Sequence, residues 1–96
     1  MARKYYAYFV YGGEEYVMRF KIAGTLQYRK KERCFIDREW YVRTISDVVA
    51  YAARDTNPHN DKRFGFCMLI PQKTYMQERA KGTKRWIPEN KVIRWD

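Results

Sequence analysis

The side chains able to act as nucleophile, metal ligand or acid–base pair are few and scattered. His59 is the only histidine, and Cys34 and Cys67 are the only cysteines. They form no close pairs and lack a fourth ligand, so their spacing matches no zinc site. A cysteine–histidine nucleophile would need an oxyanion hole, and no motif for one accompanies either cysteine. Both cysteines lie in apolar, strand-like runs, where reduced, buried and inert thiols are expected, although the sequence does not exclude a disulfide between them. The acids Asp37, Glu39, Asp47, Asp55 and Asp61 could bind magnesium in a small nuclease. Each instead has a simpler partner in Arg38, Arg43, Arg54, Arg63 or a helix end, and no spacing among them is diagnostic. Gly12, Gly13 and Gly24 make no phosphate-cradling loop. The expectation is a protein that is not an enzyme and carries no metal or cofactor.

The chemistry that the chain does offer is binding by rings and cations. Residues 3–11 and 14–22 are rich in aromatic and β-branched side chains and meet at Gly12 and Gly13, which supply the positive φ angles of a two-residue hairpin turn. That link pairs Tyr11 with Glu14, Phe9 with Tyr16, Tyr8 with Val17, Ala7 with Met18, Tyr6 with Arg19 and Tyr5 with Phe20. Because side chains alternate between faces, Tyr5, Ala7, Phe9, Tyr16, Met18, Phe20 and Ile22 form the core side. The other side carries Lys4, Tyr6, Tyr8, Val10, Val17, Arg19 and Lys21. Rings among cations on a sheet surface suit single-stranded nucleic acid, with rings stacking on bases and cations meeting phosphates. The plainer alternative is that Tyr6 and Tyr8 are strand formers packed beneath a second layer.

Two further basic clusters extend the inventory. Arg29, Lys30, Lys31 and Arg33 crowd into one stretch with Glu32 and predict an exposed loop or the tip of a second hairpin, either merely solvated or in contact with phosphate. Arg79, Lys81, Lys84 and Arg85 precede Trp86. Arg85 and Trp86 would extend the nucleic-acid surface, unless Trp86 anchors the core.

These residues must be positioned by the rest of the chain. A turn at residues 23–25 precedes a short extended piece at 26–28. Residues 34–37 and 40–43 read as one broken strand or two short ones, with Trp40 and Tyr41 buried against the hairpin core. Thr44 and Asp47 make a capping-box-like start for a helix over residues 45–56, whose apolar stripe is Ile45, Val48, Val49 and Ala52. Asn57, Pro58, Asn60 and Asp61 stop it. The uninterrupted apolar run 64–70 predicts a strand buried on both faces, with Gly65 marking a bulge or close approach. A short helix over 74–81 would be capped by Thr74 and ended by Gly82. Residues 84–87 and 91–95, joined through Pro88, read as a terminal hairpin. The fold class is therefore α+β: a mostly antiparallel sheet of about five strands with one main helix packed across it, similar in plan to a β-grasp.

Ninety-six residues support a single domain, and 46% hydrophobic with 18% aromatic residues argue against disorder. Twenty basic against eleven acidic residues leave a formal charge of +9, which favours an anionic partner. Charges interrupt every apolar run well short of a membrane span, and no signal peptide is recognisable, so a cytoplasmic location is expected. The reading that leads is a non-enzymatic module for single-stranded nucleic acid or an oligonucleotide. The alternative is a small inhibitor or adaptor, for example a phage-type inhibitor of a host defence or nucleic-acid enzyme, that occludes an acidic protein surface with the same Tyr, Trp and Arg inventory. An exposed strand edge would also allow a homodimer.

Overall fold

In the computed structural model of this chain, which describes residues 2–38, 40–54, 62–86 and 91–95 without the side chains of Arg54 and Lys91, Gly12 and Gly13 turn at φ of +59° and +79°. Positive φ at both central positions joins β1 (Arg3–Tyr11) to β2 (Glu14–Gly24) in the register that the Gly-Gly link predicts, with Tyr11 opposite Glu14 and Tyr5 opposite Phe20. The inward face follows: Ala7, Phe9, Met18, Phe20 and Ile22 are fully buried.

Short elements then wrap this hairpin. β3 (Gln27–Arg29), β4 (Cys34–Asp37) and β5 (Tyr41–Thr44) form a separate three-stranded antiparallel sheet. α1 (Ile45–Arg54) starts at the capping box: the Asp47 amide donates to Thr44 Oγ1 at 3.0 Å, and the Thr44 amide to the Asp47 carboxylate at 3.4 Å. Its Val48, Val49, Ala52 and Ala53 close the core over the hairpin, together with Leu26 and Phe35. Residues 55 and 56, and the stop signals after them, lie outside the described residues.

β6 (Phe64–Ile70) pairs antiparallel with β1, with a register shift between Phe9 and Tyr11. The expected bulge at Gly65 coincides with it, and a Cβ there would lie 3.7 Å from Val10. α2 (Gln72–Lys81) then crosses the outer face of β1 and β2. Tyr75, 3% exposed, is its anchor, packed with Val17, Ile70, Tyr6 and Tyr8. The helix ends at Gly82, whose φ of +98° lets its amide donate to Arg79 O at 3.0 Å.

The chain finishes as β7 (Lys84–Arg85) and β8 (Lys91–Trp95), both parallel to β2 along its second edge. The main sheet is thus ordered β6, β1, β2, then β7 and β8. The architecture is α+β, mostly antiparallel, with a helix packed across the sheet.

Five local expectations are corrected. The terminal hairpin does not form: β7 and β8 point the same way, because β2 offers an open edge along which the chain continues, burying Trp86 and Ile93. α2 begins at Gln72 with Pro71 as N-cap, not with Thr74; the proline's φ of −65° and ψ of 158° turn the chain from strand to helix there. β6 is not buried on both faces, since Phe66 is 62% and Met68 40% exposed. It is the last strand of its sheet, and α2 covers only part of the outer face. Trp40 and Tyr41 do not join the hairpin core but stand 78% and 61% exposed where the chain enters β5, an edge strand of the separate second sheet. Cys34 and Cys67 are free thiols but half-buried rather than fully enclosed.

Candidate nucleic-acid interface

Of the residues expected to bind nucleic acid, Tyr6, Tyr8 and Arg19 share the outer face of the main sheet, but α2 lies over much of it. The Tyr6 ring sits 5.0 Å from that of Tyr75, and the Arg19 guanidinium lies 5.8 Å from the same ring. Tyr8 is half-buried, 6.4 Å from the Phe66 ring. Burial raises its phenol pKa, and so does its hydrogen bond to Glu15, with Glu78 adding a further negative field. A phosphate would meet two carboxylates there. The ring stripe is therefore a helix-packing surface at Tyr6 and an acid-flanked one at Tyr8.

The basic cluster after α2 is spent on local bonds. Lys81 pairs with Glu78 and Lys84 with Glu14, at 3.0 and 2.9 Å, while Arg79 donates to Thr83 O at 3.1 Å. Arg85 is exposed, but on the edge of the sheet opposite β6. Trp86 is 8% exposed, its Nε1 donates to Ala53 O at 3.0 Å, and its ring lies 5.0 Å from both Tyr11 and Tyr16. It is a core anchor with no face left for a base.

What the fold does bring together is Lys4 and Tyr6 with Lys30 and Arg33. β6 leaves the sheet at Ile70, opposite Tyr6, and Pro71 swings the chain into α2, so the edge of β1 at Lys4 and Tyr5 stands open. Across this gap comes the turn between β3 and β4, whose residues Lys30, Lys31, Glu32 and Arg33 are all exposed, as expected for the tip of a second hairpin. A hollow of about 410 Å³ lies between Lys4, Tyr6, Gln72 and Lys30. A second, of about 460 Å³, runs on past Arg33, Ile45 and Phe66. The two share Tyr28, Lys30 and Leu69, so they adjoin, and together they make a two-part groove beside the turn between β3 and β4.

The lining tells how this groove lies. Phe66, Cys67, Met68 and Leu69 all border it, and successive side chains of a strand point to opposite faces. A hollow that touches four in a row runs along the strand's edge, not over one face. Its wall therefore combines the backbone edge of β6, the Tyr28 and Phe66 rings, and three cations, with no carboxylate among the described residues that line it. Tyr28 is held by its contacts with Phe35 and Tyr5, at 5.1 and 6.2 Å between centroids. Lys4 also stands directly opposite Lys21 across the hairpin, where two like charges repel unless an anion lies between them. The start of α2 has neither an acid in its first turn nor a side-chain cap, which adds to the positive potential at Gln72.

Arg29 projects on the far side of the second sheet, away from the groove, beside Arg38. Cys67 faces the groove, its thiol pKa raised by burial against the opposing bond with Ser46, so it is not primed as a nucleophile. Among the described residues no group of three His, Cys, Asp or Glu side chains is placed to hold a metal, and no helix is long and apolar enough to cross a membrane. His59 lies outside the described residues.

Sequence reasoning missed Tyr28, Phe66 and Gln72. Tyr28 carried a signal, since it directly precedes the basic run. Phe66 carried none, because an uninterrupted apolar strand looks the same at a sheet's edge as at its centre. Comparison with known proteins returns no match, whether to a protein-family model, a curated protein or a solved structure.

Proposed function

We propose that this protein binds single-stranded nucleic acid without catalysis, in the groove between the free edge of β6 and the turn joining β3 to β4. One observation carries the reading: Lys4, Lys30 and Arg33 line, with the Tyr28 and Phe66 rings, a groove that no carboxylate borders among the described residues. Cations at that spacing meet successive phosphates, and the rings offer π-faces to the bases between them. The backbone edge of β6 supplies hydrogen-bond groups to base edges without demanding one sequence. A major-groove reader would present base-reading side chains on an exposed helix; α1 has its apolar stripe in the core, and exposed α2 commits Arg79 to Thr83 O and Lys81 to Glu78.

The test is fluorescence anisotropy with labelled single-stranded RNA and DNA at rising salt. Three phosphate contacts predict a log–log salt slope near about −2 for a single strand. Lys30→Ala with Arg33→Ala is expected to lower affinity at least about tenfold at low salt, and Phe66→Ala by a similar factor through lost stacking. Lys84→Ala, on the opposite edge, is expected to leave it unchanged. No binding at about 10 µM protein and low salt, where even non-specific nucleic-acid binders associate, would refute the reading.

A further inference from the structure

The turn between β3 and β4 has a second side. Gln27 and Arg29 of β3 share one face with Ile36 of β4 and Val42 of β5, by the pairing of Gln27 with Ile36 and of Ile36 with Val42. The opposite face turns Phe35 and Asp37 inward, both buried. The outward face is open: Val42 is 63% exposed, and a hollow of about 600 Å³ lies against it, lined by Thr25, Gln27, Arg29, Ile36 and Arg38. Among the described residues, two guanidinium-bearing side chains border this hollow and no carboxylate does. The buried acid of this sheet, Asp37, is committed inward, accepting from Thr25 Oγ1 and Trp95 Nε1 at 2.7 and 3.0 Å.

Arg38 is held at φ +52°, a left-handed conformation that costs a non-glycine residue on the order of 1 kcal/mol. Just beyond it Trp40 is the most exposed large apolar residue named in the fold, at 78%. A tryptophan left in water two residues along the chain from an arginine offers a ring for stacking on a base and a charge for its phosphate. Lys30 and Arg33, which border the groove, and Lys31 between them belong to the turn that follows Arg29 of this face, and all three are exposed.

We propose that the strand held in the groove crosses that turn and continues onto this second face, where Arg29 and Arg38 meet phosphates and Trp40 stacks on a base. The inference rests on the groove reading and deepens it. The ligand class becomes a single-stranded polynucleotide, not a mononucleotide or a cyclic dinucleotide.

The probe is a series of oligouridylates and oligothymidylates of about 2, 4, 8 and 12 nucleotides, a range that covers the site sizes of small single-strand binders. Affinity is expected to climb with length until the strand spans both sides. Arg29→Ala with Arg38→Ala is expected to weaken the longest oligonucleotide at least about tenfold while leaving tetranucleotide binding unchanged. The same variant should bring the salt slope from about −3.5, for five phosphate contacts, to about −2, for three. Long oligonucleotides should quench tryptophan emission in the native protein, and Trp40→Phe should abolish most of that quench, since Trp86 is buried and half-buried Trp95 is held by Asp37 and the Tyr51 ring. Equal affinity for two and twelve nucleotides, or undiminished long-strand binding by the double variant, overturns the second face and leaves the groove standing. Binding at no length overturns the groove itself, and the second face with it.

Discussion

Asp37 is the one acidic side chain buried among the described residues, and it receives one bond from each of two distant segments. Hydrogen bonding from Thr25 holds its carboxyl below the ordinary carboxylate range, with Trp95, Arg38 and Arg43 acting in the same direction. A carboxylate whose pKa is lower folded than unfolded adds stability that is complete above the unfolded value, about 4, and is lost as pH falls through the folded one. Glu14, bonded by Lys84 and Tyr16, and Glu78, bonded by Lys81 and Thr83, are lowered as well. All three therefore weaken the protein on acidification. Asp37→Asn keeps one acceptor oxygen, for either Thr25 Oγ1 or Trp95 Nε1, and cannot titrate. Urea midpoints measured from pH 7 down to pH 2 should fall less steeply for Asp37→Asn than for the native chain; parallel curves would remove Asp37 from the acid response.

Trp86 carries a second prediction at this scale. Trp86→Phe keeps most of the apolar volume but leaves Ala53 O without the indole donor, a loss of about 1 to 3 kcal/mol for a buried acceptor. Trp86→Ala should cost roughly 3 to 5 kcal/mol by opening a cavity among Phe9, Tyr11 and Tyr16. Chemical denaturation separates the two. If the phenylalanine variant were as stable as the native protein, the indole hydrogen bond would contribute nothing.

At the scale of elements, the hairpin is governed by its turn. Both glycines have positive φ and open space around the missing Cβ, so the penalty for any other residue is conformational, not steric. Gly12→Val should therefore destabilise by about 1 to 2 kcal/mol, while Gly12→Asn, which tolerates the left-handed region, should cost far less. Thermal melts of the two variants check this ordering. The same locality explains what was legible from residues alone. Register between β1 and β2, the capping box of α1 and the stop at Gly82 each depend on a few adjacent residues.

What was not legible depends on neighbours far away in sequence. α2 covers Tyr6 although Tyr75 is its only buried side chain, so no apolar stripe announced a helix lying over that face. β6 reads as an interior strand and stands at an edge. β7 follows β2 in parallel with Lys84 opposite Tyr16, a pairing that no local pattern encodes. For the site, this means that Lys4, Lys30 and Arg33 were recognisable by charge, whereas their meeting with Tyr28 and Phe66 required the strand order. Trp40 shows the reverse error: its size argued for burial, and it stands in water just before β5, an edge strand of the second sheet.

At the scale of the whole molecule, two sheets have to be held together, and β8 does much of this. Ile93 is 2% exposed within the main core, and Trp95 gives its Nε1 to Asp37 while its carbonyl accepts the Thr25 amide at 2.6 Å. Arg43 of the second sheet lies 5.6 Å from the Trp95 ring. All of these contacts join residues far apart in the chain, and α1, β6 and α2 lie between β2 and β8 in sequence. Closing so long a loop costs entropy before any contact repays it, so β8 should dock after the main folding barrier. Ile93→Ala should then cost about 2 to 5 kcal/mol at equilibrium, and nearly all of that should appear as faster unfolding, with the refolding limb in place. Stopped-flow chevrons in urea read both limbs directly. Refolding slowed in proportion to the lost stability would mean instead that β8 belongs to the nucleus, and that the two sheets are tied together before the hairpin core is complete.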